Sequence, residues 1–298
     1  MAWRLHLTNQ AIQRLDILNK RLAVWTKRDR ITYYDLKNGV LLEEQTIEPA
    51  RSEDRTSDIW QTFISELKTP DGHYLPTLTL NRFILHLSED GGLRLYQSEG
   101  LKLENEGQEY TLDVPNVAAV ALDRFLGLIA VIDGESQLNI FQQQIKVGTF
   151  DLPFQQTEYL RPMVTVSHGG TSIFVSDGQQ IALMDSSGTV KRKLNTYYDI
   201  RQMACSPDGK YLVTSDMDSG VIRVYNGEDL TPTHQRFAID LVAEATQVQL
   251  MADMPPIFVA LSALTIDNDA NIAFSMSGVV CVTELSSFDE LPRPQTLL

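Results

Sequence analysis

The stretch Ala204–Asn226, ACSPDGKYLVTSDMDSGVIRVYN, places short β-type runs on either side of two polar turns. One run ends near Cys205, the next is YLVTS (Tyr211–Ser215), and the third is VIRVY (Val221–Tyr225). Ser206-Pro207-Asp208-Gly209 carries turn chemistry, because Pro presets φ, Asp bonds its own backbone and Gly accepts φ > 0. DMDSG (Asp216–Gly220) is the second turn, and RFAID (Arg236–Asp240) reads as a fourth strand after NGED.

The same succession recurs along the chain, over Ile17–Glu44, Leu78–Glu104, Val120–Phe150, Val164–Leu194 and Leu264–Leu285. Aligned on their third strands, the units start near Ile31, Leu93, Gln137, Ile181, Val221 and Val279, at spacings of 62, 44, 44, 40 and 58 residues. A four-stranded propeller blade takes ~40–50 residues. The spacing therefore predicts an all-β chain, one β-propeller domain over residues 1–298 with six four-stranded blades, and seven as the alternative.

This pattern resembles the WD-repeat family and related bacterial β-propellers over nearly the whole chain. SPDGKYLVTSDMDSGVIRVYN matches the family's run into its third strand, with Tyr225-Asn226 at the Trp-Asp position. Tyr34-Asp35 stands at the same place in RITYYDLKNG, SEDGGLRLY (Ser88–Tyr96) is similar, and Gly72-His73 stands where the family has Gly-His. IDNDANIAFS (Ile266–Ser275) looks more like the Asp-rich turns of bacterial propellers. No blade carries Trp-Asp and only one carries Gly-His, so the family's His-to-Asp staple is expected at most once, through His73 and Glu89 or Asp90.

WRLHLT at the start alternates Trp3, Leu5 and Leu7 with polar residues, a half-buried strand by its period of two. The last unit ends at Leu285 without a fourth strand of its own. Trp3–Thr8 is therefore expected to supply the outer strand of the last blade and close the ring, which removes exposed strand edges.

Two insertions interrupt the repeat, at about residues 50–71 and 241–256. In the first, Ser57 can cap a helix whose Ile59, Trp60, Phe63, Ile64 and Leu67 share one face. In the second, helix and strand are both open, and Pro255-Pro256 ends it. The resemblance implies that connections between blades share a face with the turns between second and third strands. That face would carry Trp60 and Phe63 as aromatic anchors, with an acidic rim of Asp90, Asp133, Asp177, Asp216 and Asp218 beside Glu89 and Glu135. Lys27, Arg28 and Arg30 form one basic sector. Such a rim favours a basic partner surface.

Net charge is −14, from 39 acids against 25 bases, which argues against a phosphate-backbone binder. The longest apolar runs, Phe125–Ile132 and Ile257–Ile266, fall short of the ~20 residues of a membrane-spanning helix. The first residues lack a signal peptide's apolar core, so a cytoplasmic protein without membrane insertion is expected. Cys205 and Cys281 sit in apolar runs and read as buried thiols. Asp267, Asp269 and Asn271 have the spacing of a calcium loop, but Ile272 and Gly278 stand where that loop needs Gly and Glu. The five histidines lack metal-type spacing, and nucleophile-elbow, phosphate-loop and metalloprotease motifs are missing. Asp199 is one acid near an inner strand that a channel metal could use. The expected role is a non-catalytic, cofactor-free scaffold for other proteins. The alternatives are a metal-dependent propeller hydrolase or lactonase, and a small-ligand sensor using the central channel.

Overall fold

The computed structural model describes residues 2–7, 12–26, 30–46, 83–87, 93–98, 100–105, 108–123, 128–142, 144–154, 162–247 and 261–292. The chain opens with β1 (Trp3–His6) and then runs as short meanders. The first is β2 (Ile12–Leu18), β3 (Arg21–Thr26), β4 (Arg30–Asp35) and β5 (Leu41–Thr46). The second is β6 (Phe83–Leu87), β7 (Leu93–Ser98), β8 (Gly100–Asn105) and β9 (Gln108–Leu112). The third is β10 (Val117–Leu122), β11 (Leu128–Asp133), β12 (Gln137–Gln142) and β13 (Ile145–Asp151). Then come β14 (Met163–Val166), β15 (Ile173–Ser176), β16 (Gln180–Met184) and β17 (Val190–Asn195). The next is β18 (Ile200–Cys205), β19 (Tyr211–Asp216), β20 (Val221–Asn226) and β21 (Pro232–Phe237). Helix α1 (Ala238–Glu244) and the short strand β22 (Thr246–Gln247) precede β23 (Leu261–Ile266), β24 (Asn271–Met276), β25 (Val279–Glu284) and β26 (Asp289–Glu290).

The fold is all-β, built from small sheets of propeller-blade type. Two compact units divide it, Met1–Ile47 with Arg192–Leu298, and Glu48–Lys191. In the first unit the sheet orders are β18-β19-β20-β21-β26, β23-β24-β25-β1-β22 and β2-β3-β4-β5, and the leading strands β18, β23 and β2 lie side by side. In the second, β6-β7-β8-β9 and β10-β11-β12-β13 are followed by β14-β15-β16-β17, whose last strand carries the chain across the unit boundary.

The expected partner of the first strand is the observed one. β1 runs antiparallel to β25 with Trp3 opposite Val282 and His6 opposite Val279. Trp3 also donates its indole N–H to the Leu36 carbonyl at 2.7 Å, tying this sheet to β2–β5. The structure extends the closure on its outer side, where β22 pairs in parallel with β1.

Within each unit, hydrophobic cores form slabs between neighbouring sheets. β11 shows why the apolar residues Leu128–Ile132 form a strand. Leu128, Ala130 and Ile132 pack toward β14–β16, while Ile129 and Val131 pack toward β7–β9. A strand covered on both faces has no polar alternation to keep. Between the last two sheets, Val213, Ile222 and Val224 meet Ile272, Phe274 and Met276 beneath the apolar stripe Ala238, Leu241 and Val242 of α1.

Two expectations need correction. Leu93 begins the second strand of its sheet, not the third, because β7 lies between β6 and β8 with β9 beyond. Leu101 and Leu103 of β8 are fully buried, the mark of an interior strand, and Gly100 (φ 110°) makes the tight turn into it. The third strands elsewhere begin at Arg30, Gln137, Gln180, Val221 and Val279, within a residue of expectation. The second correction concerns Arg236–Asp240. The strand ends at Phe237 and a helix starts at Ala238, since Ala238, Leu241 and Val242 bury one stripe only in a helix. The insertion is thus helix then strand up to Gln247; its remainder, residues 248–256, and residues 50–71 lie outside the described residues.

Candidate interaction face

Backbone hydrogen bonds show where the turns sit. Within the first unit Met217 N–H reaches the Asp199 carbonyl at 2.8 Å, Ala238 N–H the Gly220 carbonyl at 3.0 Å, and Leu7 N–H the Gly278 carbonyl at 2.8 Å. Within the second, Leu152 N–H reaches the Ser136 carbonyl at 3.2 Å. Each bond joins a turn between second and third strands to a connection between sheets. The two classes of loop therefore share a face in each unit, as expected.

The acids on these turns are engaged in building them. Asp133, Asp177 and Asp216 are 4%, 2% and 6% exposed. Asp133 accepts the N–H groups of Glu135 and Gln137, and its second oxygen accepts the Asn139 amide at 2.8 Å. Asp177 accepts from Gln179 N–H and Gln180 N–H at 2.8 and 2.7 Å. These carboxylates do not form the expected partner-facing rim; a tight turn leaves N–H groups that a carboxylate satisfies on the spot. Asp218 and Glu135 are exposed. Trp60, Phe63, Glu89 and Asp90 lie outside the described residues, as do Lys27, Arg28 and His73. The segment holding Glu89 and Asp90 joins β6 to β7, so it connects first to second strand.

The turn after β19 is the most elaborately held. Asp216 accepts Asp218 N–H and Ser219 N–H, the Ser219 hydroxyl, and Arg223 Nη1 at 3.4 Å. Burial opposes its ionisation, but the Ser219 hydroxyl and N–H and the Arg223 guanidinium outweigh that and hold the carboxyl below its ordinary value. Arg223 in turn lies 3.8 Å from the centre of the Tyr198 ring. The Tyr198 hydroxyl bonds Thr214 Oγ1 at 3.0 Å and the hydroxyl of Tyr225. Burial, and then Tyr198, push the Tyr225 phenol well above its usual range. Tyr225 is thus one end of a polar chain of side chains that runs through Tyr198 and Arg223 to Asp216.

The segments around this turn carry large apolar side chains that stand in water. Tyr197 is 104% exposed, Phe237 49% and Met217 42%. Met217 is in the Asp216 turn; Tyr197 is two residues from the Asp199 carbonyl that Met217 N–H reaches; Phe237 precedes Ala238, whose N–H closes on Gly220. Three chain segments that meet at this turn therefore each carry an exposed aromatic or Met side chain. Sequence reasoning missed them, although an apolar Met between two acids in DMDSG is a visible signal.

Other candidate residues take structural roles. Asp267 accepts the N–H groups of Asp269 and Asn271 and the Asn271 amide at 2.7 Å, making the turn itself. Asp208 N–H reaches Asn268 Oδ1 at 2.8 Å, linking neighbouring sheets. In the second unit, buried Asp123 lies 3.5 Å from His168 Nδ1 in the equivalent place. Asp199 contributes its carbonyl to Met217, and its side chain is half-buried. Cys281 is buried and Cys205 half-buried, both reduced. No group of three or more His, Cys, Asp or Glu among the described residues is placed to hold a metal. Among the described residues no helix is long and apolar enough to cross a membrane. No protein-family model matches the chain, and no curated protein matches it.

Proposed function

We propose that the chain is a divergent WD-repeat-like propeller of six blades closed by β1, acting as a non-catalytic scaffold that binds partner proteins. The observation that carries this reading is the meeting, at the Asp216 turn, of three chain segments that carry exposed Tyr197, Met217 and Phe237. Aromatic and Met side chains are enriched at the cores of protein interfaces, and anchors on a rigid support lose little conformational freedom on binding. Exposed loops on a stable scaffold are where binding residues collect. Exposed Asp218 and exposed Asp240 of α1 supply a polar border.

The test compares the intact protein with Phe237→Ser and Tyr197→Ser variants in affinity purification from its own cells. These positions are exposed, so the thermal midpoint should move by no more than about 1–2 °C. A partner recovered in stoichiometric amount with the parent should fall by about tenfold or more with Phe237→Ser, the size of a hot-spot loss. Equal recovery with both variants, or a parent that recovers no stoichiometric partner, refutes the proposal.

A further inference from the structure

His6 lies in β1, the strand that completes the last sheet, and is 1% exposed. Neither ring nitrogen has a hydrogen-bond partner. Arg4, two residues away on the same face of the strand, sends Nη1 to the Val242 carbonyl at 2.6 Å, while its buried Nε is also unpartnered. Leu5 and Trp3 point the other way, into the core shared with β2–β4. β1 thus carries a buried imidazole beside a guanidinium, on the side opposite Trp3 and Leu5, where Arg4 reaches α1.

Among the described residues no carboxylate bonds the imidazole. β25 contributes Cys281 opposite Arg4, whose thiol burial pushes up to about 12, and the buried Thr283 hydroxyl. β22 contributes Thr246 and Gln247, neither titratable. On β25 and α1 the carboxylates are Glu284, Asp240 and Glu244, all exposed, and Glu244 is paired with Arg236; Asp16 and Asp35 belong to β2 and β4, which meet the opposite, Trp3–Leu5 side of β1. None of them bonds the imidazole.

We infer that β1 is an acid-labile clasp: protonation of His6 sets two cations on the buried face of one strand and favours release of β1 from β25. The strand is short enough to leave. It is held by four residue pairs to β25 and two to β22. Burial, and then Arg4, hold the imidazole below its ordinary value of 6.5. A base whose folded-state affinity for protons is lowered stabilises the fold fully above the unfolded value, and this is lost as pH falls below it. The working window is therefore below about pH 6.5. Release would open the outer edge of β25 and uncover the Trp3 indole.

Hydrogen exchange by mass spectrometry on the full chain at pH 7.5 and pH 5.5, corrected for intrinsic exchange, reads this directly. Protection over residues 3–6 should fall about tenfold at pH 5.5, one pH unit of linkage, while β11 keeps its protection. His6→Leu should abolish the difference, and Arg4→Gln should shrink it by relieving the neighbouring charge. Unchanged protection in the parent overturns the clasp, as does an equal loss in His6→Leu. Should His6→Leu fail to fold, Arg4→Gln decides: an undiminished loss overturns the inference.

Discussion

Gly227 has no room for a side chain. A Cβ built there would stand 1.8 Å from the Gly209 carbonyl oxygen, because Gly227 N–H bonds the Lys210 carbonyl and draws two turns together. Both partners are backbone, so neither can rotate away. Gly227→Ala should cost about 1–3 kcal/mol, in the range of overpacked sites, and lower the urea midpoint accordingly. Asp216 illustrates a different residue-level dependence. Its carboxyl is held below 3.8 in the fold, so its stabilisation is present above that value and lost as pH falls through the lower folded one. Acid titration below pH 4 should therefore destabilise the parent more steeply than Asp216→Asn, followed by fluorescence or circular dichroism.

Individual strands are finished by short additions. β26 adds to β21 through His234 opposite Glu290 and Gln235 opposite Asp289. Arg236 is the side chain that holds this addition: Nη1 reaches the Ser287 carbonyl at 3.1 Å and Asp289 at 3.5 Å, and Nη2 pairs with Glu244 of α1. One guanidinium thus fastens both the last strand and the helix to the same outer strand. Arg236→Ala should loosen residues 285–292 without unfolding the sheet. Limited proteolysis should cut that segment several-fold faster than in the parent, with the thermal midpoint lowered by only about 2–4 °C, as for a loss of roughly 1 kcal/mol. The exposed apolar strand residues Ile145 and Val147 of β13, and Leu41 and Leu42 of β5, belong to outer strands of this same kind.

The molecule as a whole carries a net charge of −14. Its turn carboxylates are partly consumed in turns, but the remaining field still favours positively charged partners at long range. Association with a basic partner should weaken by about tenfold between 50 and 300 mM salt, mostly through a slower on-rate. Surface plasmon resonance at the two salt concentrations checks this; a salt-independent on-rate would place the recognition in the apolar anchors alone.

Much of the strand plan was legible in the chain. Alternation, Asp-Gly turns and the missing fourth strand of the last unit led to the β1–β25 pairing, because turn chemistry and strand periodicity act over a few residues. At Leu93 the pattern is one strand out, because the expected unit ends at Glu104 and β9 (Gln108–Leu112) lies beyond it. The side chains that make the candidate face could not be ranked from local signals. Asp216 and Asp218 occupy one turn in sequence, yet the first is 6% exposed and the second stands in solvent. Met217, Tyr197 and Phe237 look unrelated in the chain until backbone bonds at Asp199 and Gly220 bring them around one turn. His6 alternates with apolar residues like any edge-strand polar group, yet the fold leaves it 1% exposed. Strand positions and turns follow from short-range backbone preferences, whereas burial, and with it the fate of each charge, is set by contacts between residues far apart in the chain.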